Sequence, residues 1–225
     1  MSTGTEIHMM QLGDSLFPTG LFAASGGVEE LFMRGRITGA DGLAEYLGSA
    51  ISWQLGPLDC AFVAAACRSK DRDEIAEIDG KCGAMRINEE ARDMSRRSGR
   101  QLAACAAGFA GGDLLAWYAG AAGTGTDGEY PVSFGVCCGA LGLGEEAAAA
   151  AFLYGAVSAG VGAALRLGMV DHLEGQQVIH SLKPAISGEA ASCAGRGAGD
   201  AWQFAPEADI YQAMHEARDG GMFAT

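Results

Sequence analysis

The sequence predicts an all-α protein, a single domain of about ten helices packed around an Ala/Gly-rich central helix. Three observations lead there. Alanine is abundant and β-branched residues are few, which favours helix because alanine loses no side-chain entropy on entering one. Apolar residues recur at helical spacing in segment after segment. From Ala147 to Leu165 there are 19 residues without a charge, mostly Ala, Gly and Ser. Too few are large and apolar to drive transfer into lipid, so the stretch reads as a buried core helix. With 225 residues, 49% of them hydrophobic, the chain can bury a sizeable core. The 35 glycines are expected to end helices or to let helices approach closely.

Residues 7–16 predict a short helix, broken near Pro18 and Gly20, and a second runs from Leu21 to about Met33. Thr38 or Asp41 caps the next, where Leu43, Leu47, Ala50, Ile51 and Leu55 share a face. Gly56-Pro57 is expected to stop it, with the proline opening a new helix that buries Leu58, Ala61, Phe62 and Ala65. Arg68 to Glu77 reads as a charged connector with at most one short helix. Residues 85–107 predict the longest polar helix, burying Ile87, Ala91, Met94, Leu102 and Cys105, and 110–119 continue in helix. Gly120–Gly128 is a loop, and Pro131 starts a helix that ends near Gly144. Glu145 and Glu146 favour the positive end of the central helix, which runs to about Leu167. A helix near Gly175–Leu182 is halted by Pro184, and residues 187–205 predict a flexible linker. A last helix follows Pro206, and the tail to Thr225 is expected to order on binding a partner.

The formal net charge of −13 argues against nucleic acid and against an anionic membrane, both of which need basic surface. The seven cysteines are odd in number and repeat no spacing, as expected of small buried thiols in a reduced protein. The first ten residues hold Glu6 and His8 and lack the basic start and apolar core of a secretory signal, so a cytoplasmic location is expected.

Motifs for chemistry are incomplete. Gly123-Thr-Gly-Thr-Asp-Gly128 has dinucleotide-fingerprint spacing but lies between helices, with no strand before it, and reads as a flexible loop. No phosphate-loop motif with a lysine is present, so no nucleotide hydrolysis is expected. His215-Glu216 begins the H-E-x-x-H zinc motif, but Asp219 stands where the second histidine belongs. Cys137 and Cys138 are adjacent and point apart on a helix, while His172 and His180 lie about two turns apart; no metal site or cofactor is expected. Ser25 lacks the G-x-S-x-G frame of a nucleophile. Arg86, Arg92, Arg96, Arg97 and Arg100 form either a solvated face with pairs such as Asp93–Arg97 or a basic patch for an acidic partner.

The run from Gln11 to Glu29 carries the more specific signal. Leu12, Asp14, Ser15, Phe17, Pro18, Gly20, Phe22, Ser25, Gly27, Val28 and Glu29 resemble the N-terminal signature of the UreF family of urease accessory proteins. The likeness continues, in order, at Arg92, Ser95 and Gly99, at Tyr130–Gly135, at Phe152–Tyr154 through Arg166-Leu167, at Gly175-Gln176, and at Pro206, Asp209-Ile210 and His215-Glu216. The resemblance implies an all-α, non-enzymatic helper that forms homodimers and binds a UreD/UreH-type protein. Together these recruit the GTPase UreG for nickel insertion into apo-urease. By the same resemblance Glu29 and Arg166 belong to the GTPase-facing side, with Ser25 nearby. Asp209, His215 and Glu216 belong to the region that meets UreD/UreH. The tail departs from the family: its two usual arginines are absent from Gly220–Thr225. Two other readings follow from the residues alone: a small helical enzyme using His172, His180 or His215 as acid or base, and a purely structural dimer scaffold.

Overall fold

The computed structural model describes residues 3–14, 17–18, 26–206 and 208–211. The helices among them are α1 (Thr3–Leu12), α2 (Val28–Met33), α3 (Gly39–Ala50), α4 (Ala61–Arg68), α5 (Arg72–Ala84), α6 (Glu89–Ala107), α7 (Asp113–Ala121), α8 (Tyr130–Ala140), α9 (Glu145–Arg166) and α10 (His172–Cys193). Helical backbone resumes at Pro206 and at 208–211, and the described residues contain no β-strand. The all-α single domain is as the sequence predicts. The helix starts follow local chemistry: Asp71, Asn88 and Asp171 each accept the N–H of the third residue on, and Asp171 completes a capping box with Glu174. Pro131 sits in the first turn of α8, where its missing N–H costs nothing.

Two prolines expected to end helices do not. Ile51–Cys60 is a π-helical stretch that carries α3 through Pro57 into α4 without a break. An α-helical residue 57 would donate to the Trp53 carbonyl; that carbonyl accepts instead from the Phe204 N–H at 2.8 Å. The Pro57 carbonyl accepts from the Trp202 N–H at 3.2 Å, so an extended strap from the far end of the chain uses groups the wider helix releases. Trp53 and Trp202 meet edge to face at 6.1 Å. Pro184 likewise lies inside α10, and residues 187–193 are helix rather than linker. The buried stripe Val178, Leu182, Ile186, Ala190 and Cys193 runs straight past the proline. Burying residues such as Ile186 stabilises by about 1.5–3 kcal/mol each, enough together to offset the ~3 kcal/mol that an interior proline costs.

The core forms where α8 crosses α4 and where α9 and α10 pair. A Cβ at Gly135 would come within 2.5 Å of the Val63 carbonyl oxygen, and one at Gly139 within 2.6 Å of that of Cys67, so the α4–α8 crossing requires glycine. By length and composition Gly39–Arg68 and Glu145–Arg166 could each cross a membrane, but 72% and 56% of their apolar windows are buried against other helices. Ile87, expected inside, is exposed; α6 instead buries Ser95, Ser98, Gly99, Leu102, Ala103 and Ala106. The connector Arg68–Glu77 is mostly the start of α5.

Candidate functional site

Three acids that the sequence reading passed over organise the middle of the molecule. Asp79 on α5 is fully buried. Its Oδ2 accepts from the N–H groups of Asp127 (2.6 Å) and Gly128 (3.0 Å), and its Oδ1 from the Glu129 N–H (2.9 Å) and the Tyr118 hydroxyl (2.6 Å). The fingerprint-like loop at Gly123–Gly128 thus does cradle an anion with successive backbone N–H groups, but the anion is the protein's own. Burial, then the neighbouring Asp79 charge, pushes the Tyr118 phenol well above its ordinary pKa, so it stays a donor.

Glu129, also fully buried, caps no N–H of α8; its carboxylate turns toward α6. It accepts from the Ser95 hydroxyl, from Arg96 Nε at 3.0 Å and from Arg86 Nε at 3.4 Å. Arg86 donates onward to Asp59 on the π-helical stretch at 2.6 Å, and Arg96 to Asp127 at 2.7 Å. The result is a chain of ion pairs, Asp59–Arg86–Glu129–Arg96–Asp127. Burial alone would lower the Arg86 pKa, but Asp59, followed by Cys82 and Glu129, more than offsets it. For Asp59 burial wins over Arg86 and raises its carboxyl pKa. Arg92 and Arg100 donate to the main-chain carbonyls of Arg86 and Asp127. Arg92, Arg96 and Arg100 therefore tie α6 to its surroundings and Arg86 does the same for the segment before it, which is neither a plain solvated face nor a free basic patch.

The chain of pairs ends at a cavity of about 180 Å³. Its walls are mainly apolar, with Leu47, Leu55, Met94 and Phe152 among them, and its polar side holds Asp59, Arg86 and Ser95. Tyr130 and Phe152, with ring centres 5.7 Å apart, complete one wall.

The residues expected to bind partners are less gathered. Glu29 is 3% exposed on α2, so in this conformation its carboxylate is held inside rather than presented. Its neighbour Glu30 is buried too and pairs with Arg34, whose guanidinium lies 5.9 Å from the Tyr211 ring. This joins α2 to the helical residues that hold Asp209, whose carboxyl pKa burial raises. Arg166 closes α9, donating from Nε to the Gly162 carbonyl at 3.0 Å; burial lowers its pKa. Ser25, His215 and Glu216 lie outside the described residues. Gly27, which precedes α2 at φ 87°, has no room for a side chain, because a Cβ would meet the Tyr46 hydroxyl at 2.6 Å.

His172 and His180 are exposed on α10, and neither lines the cavity. Among the described residues no three His, Cys, Asp or Glu side chains group as a metal site. Cys137 and Cys138 are buried core thiols, the former pushed up to about 12 by burial and the Cys105 thiol. One signal for a missed acid was available: Asp59 is a lone carboxylate within an otherwise apolar helical run, where an acid must find a partner.

The fold and these sites define an all-helical protein whose helices are tied by a buried chain of ion pairs and whose fingerprint-like loop is already filled. The chain belongs to the UreF family: the family profile, described as UreF, matches residues 37–183. It is 29% identical over 223 residues to the urease accessory protein UreF of Trichodesmium erythraeum, covering 97% of this chain and 96% of that one. It is 32% identical over 190 residues to that of Yersinia enterocolitica serotype O:8, covering 83% of each. It is 30% identical over 212 residues to urease accessory protein UreF 2 of Brucella canis, covering 93% of this chain and 87% of the relative. The profile match begins after the Gln11–Glu29 run, so the family rests on the helical body as well as on the opening signature. Several signature residues work as packing devices: Ser95 accepts the Tyr130 N–H, and a Cβ at Gly99 would meet the Gly128 carbonyl.

Proposed function

We propose that the protein is a non-enzymatic urease maturation factor. It binds a UreD/UreH-type accessory protein as a homodimer in the cytoplasm. That complex recruits and regulates a UreG-type GTPase so that nickel enters apo-urease. The observation that carries the reading is membership of the UreF family across the helical body, together with near full-length relatives named as urease accessory proteins. The filled Gly123–Gly128 loop supports a role without nucleotide chemistry of its own. The surface where α2 meets the helical residues 208–211, bridged by Arg34 and Tyr211, is the site we assign to contact with the UreD/UreH-type partner, with Asp209 as a member, and Arg166 at the end of α9 is assigned to the GTPase-facing side. Glu29, being buried, shapes that surface from within.

The test is co-expression of urease subunits and accessory proteins with and without this chain. Nickel content of the purified urease should fall in its absence, and the chain should co-purify with its UreD/UreH-type partner. Full nickel loading without the chain, with the other components present, refutes the reading.

A further inference from the structure

The cavity between α3, the π-helical stretch, α6, α8 and α9 combines three features. Its volume, about 180 Å³, exceeds that of an engineered cavity of about 150 Å³ known to admit benzene, so one six-membered ring with a short substituent fits. Its walls are largely apolar, with the Tyr130 and Phe152 rings side by side on one of them. Its polar side carries a carboxylate only 4% exposed, Asp59, which spends Oδ1 on Arg86. Asp59 lines the cavity, and its Oδ2 accepts no hydrogen bond among the described residues. A buried carboxylate oxygen without a partner is costly in an empty pocket, and with aromatic rings in the same walls it matches what an organic ammonium needs: an anion for the head and π faces around it.

The sign of the ligand follows from the ion-pair chain. Asp59, Arg86, Glu129, Arg96 and Asp127 alternate, beginning and ending on a carboxylate. Arg86, the guanidinium at the cavity wall, already faces Asp59 through Nη2 and Glu129 through Nε, so an anionic ligand beside it meets two carboxylate charges.

We propose that this cavity is a binding site for a small organic monocation, a single-ring ammonium whose head donates to Asp59 Oδ2 while its ring packs between Phe152, Leu47 and Met94.

The test is titration of the full chain with benzylammonium, benzyl alcohol and phenylacetate at neutral pH, followed by calorimetry and amide chemical shifts. Benzylammonium should saturate one site per chain and shift residues lining the cavity, benzyl alcohol should bind more weakly, and phenylacetate should not bind. Asp59→Asn should weaken benzylammonium by about tenfold or more and leave benzyl alcohol nearly unchanged. Ala156→Leu, which fills the cavity from α9 and leaves the ion pairs alone, should abolish binding of both and covers the case in which Asp59→Asn fails to fold. Three outcomes overturn the proposal: no saturable binding at millimolar benzylammonium, phenylacetate binding as well as benzylammonium, or binding that survives Ala156→Leu.

Discussion

Removal of the Glu129 carboxylate is the sharpest test of what the buried ion-pair chain does. Glu129→Ala leaves two guanidiniums and the Ser95 hydroxyl without their shared acceptor. Breaking a buried pair from one side costs about 3–5 kcal/mol, because the remaining charge stays desolvated. The Arg96 contribution must be discounted, since that side chain is 31% exposed and water can replace its partner. Arg86, at 17%, and the buried Ser95 hydroxyl carry most of the loss. The expected destabilisation is therefore near the lower end, about 3 kcal/mol, a large share of the 5–15 kcal/mol that holds a typical domain. Glu129→Gln keeps the shape and one acceptor oxygen and should lose about 1.5–3 kcal/mol, the usual worth of a hydrogen bond to a charged group. Urea denaturation followed by circular dichroism measures both. The Glu129→Ala/Arg86→Met pair should show coupling of at least about 0.5 kcal/mol relative to the sum of the single variants. A Glu129→Ala loss under about 1 kcal/mol, or strict additivity in the pair, would refute the view that these charges hold the start of α8 to α6 and to the segment that precedes it.

Other expectations concern packing, pH and the strap. Gly135→Ala should destabilise by about 1–2 kcal/mol, since overpacking against Val63 and Ala66 outweighs the gain in helix propensity. Gly188→Ala, with open space around it on α10, should stabilise by about 0.5–1 kcal/mol; the same urea titration compares them, and equal signs would contradict the assigned contacts. Burial, with a smaller push from Glu145, raises the Cys67 thiol from 9.0 to about 11. The unfolded chain then releases this proton first, and between those values the native state binds more protons, so stability falls as pH rises. The slope is at most about 1.4 kcal/mol per pH unit and ends above the folded value; Cys67→Ala should remove that share of it, and an unchanged slope would count against the burial argument. Amide hydrogen exchange should find Trp202 and Phe204 protected although they lie outside regular helix, because their N–H groups are bound to Pro57 and Trp53; exchange at open-chain rates would show the strap to be loose.

Much of the fold was legible because its signals are local. Pro131 and Glu145 marked helix starts within a residue or so of where they occur. Pro57 and Pro184 misled because their penalties are local while the compensation is not: it comes from the strap at Trp202 and Phe204 and from a stripe buried against other helices. The arginines of α6 misled for a related reason. Their spacing of four correctly placed Arg92, Arg96 and Arg100 on one face, but their partners Asp127 and Glu129, and the Asp59 that Arg86 meets, come from other parts of the chain. The cavity was out of reach because it is a space between residues drawn from five elements and two connecting segments.

The π-helical stretch also acts as a ruler. Its wider turns mean that α3 and α4 share one rod but not one rotational phase. The α3 end sets Leu47 against Gly160 and Gly48 against Leu182, while the α4 end sets Val63, Ala66 and Cys67 against the glycines of α8. One residue removed anywhere between Ile51 and Cys60 would turn one end by about 100° relative to the other. No single neighbour could then move to restore both contacts. Substitutions in this stretch are thus a matter of degree, whereas a change in its length would decide whether the two halves of the core can form together.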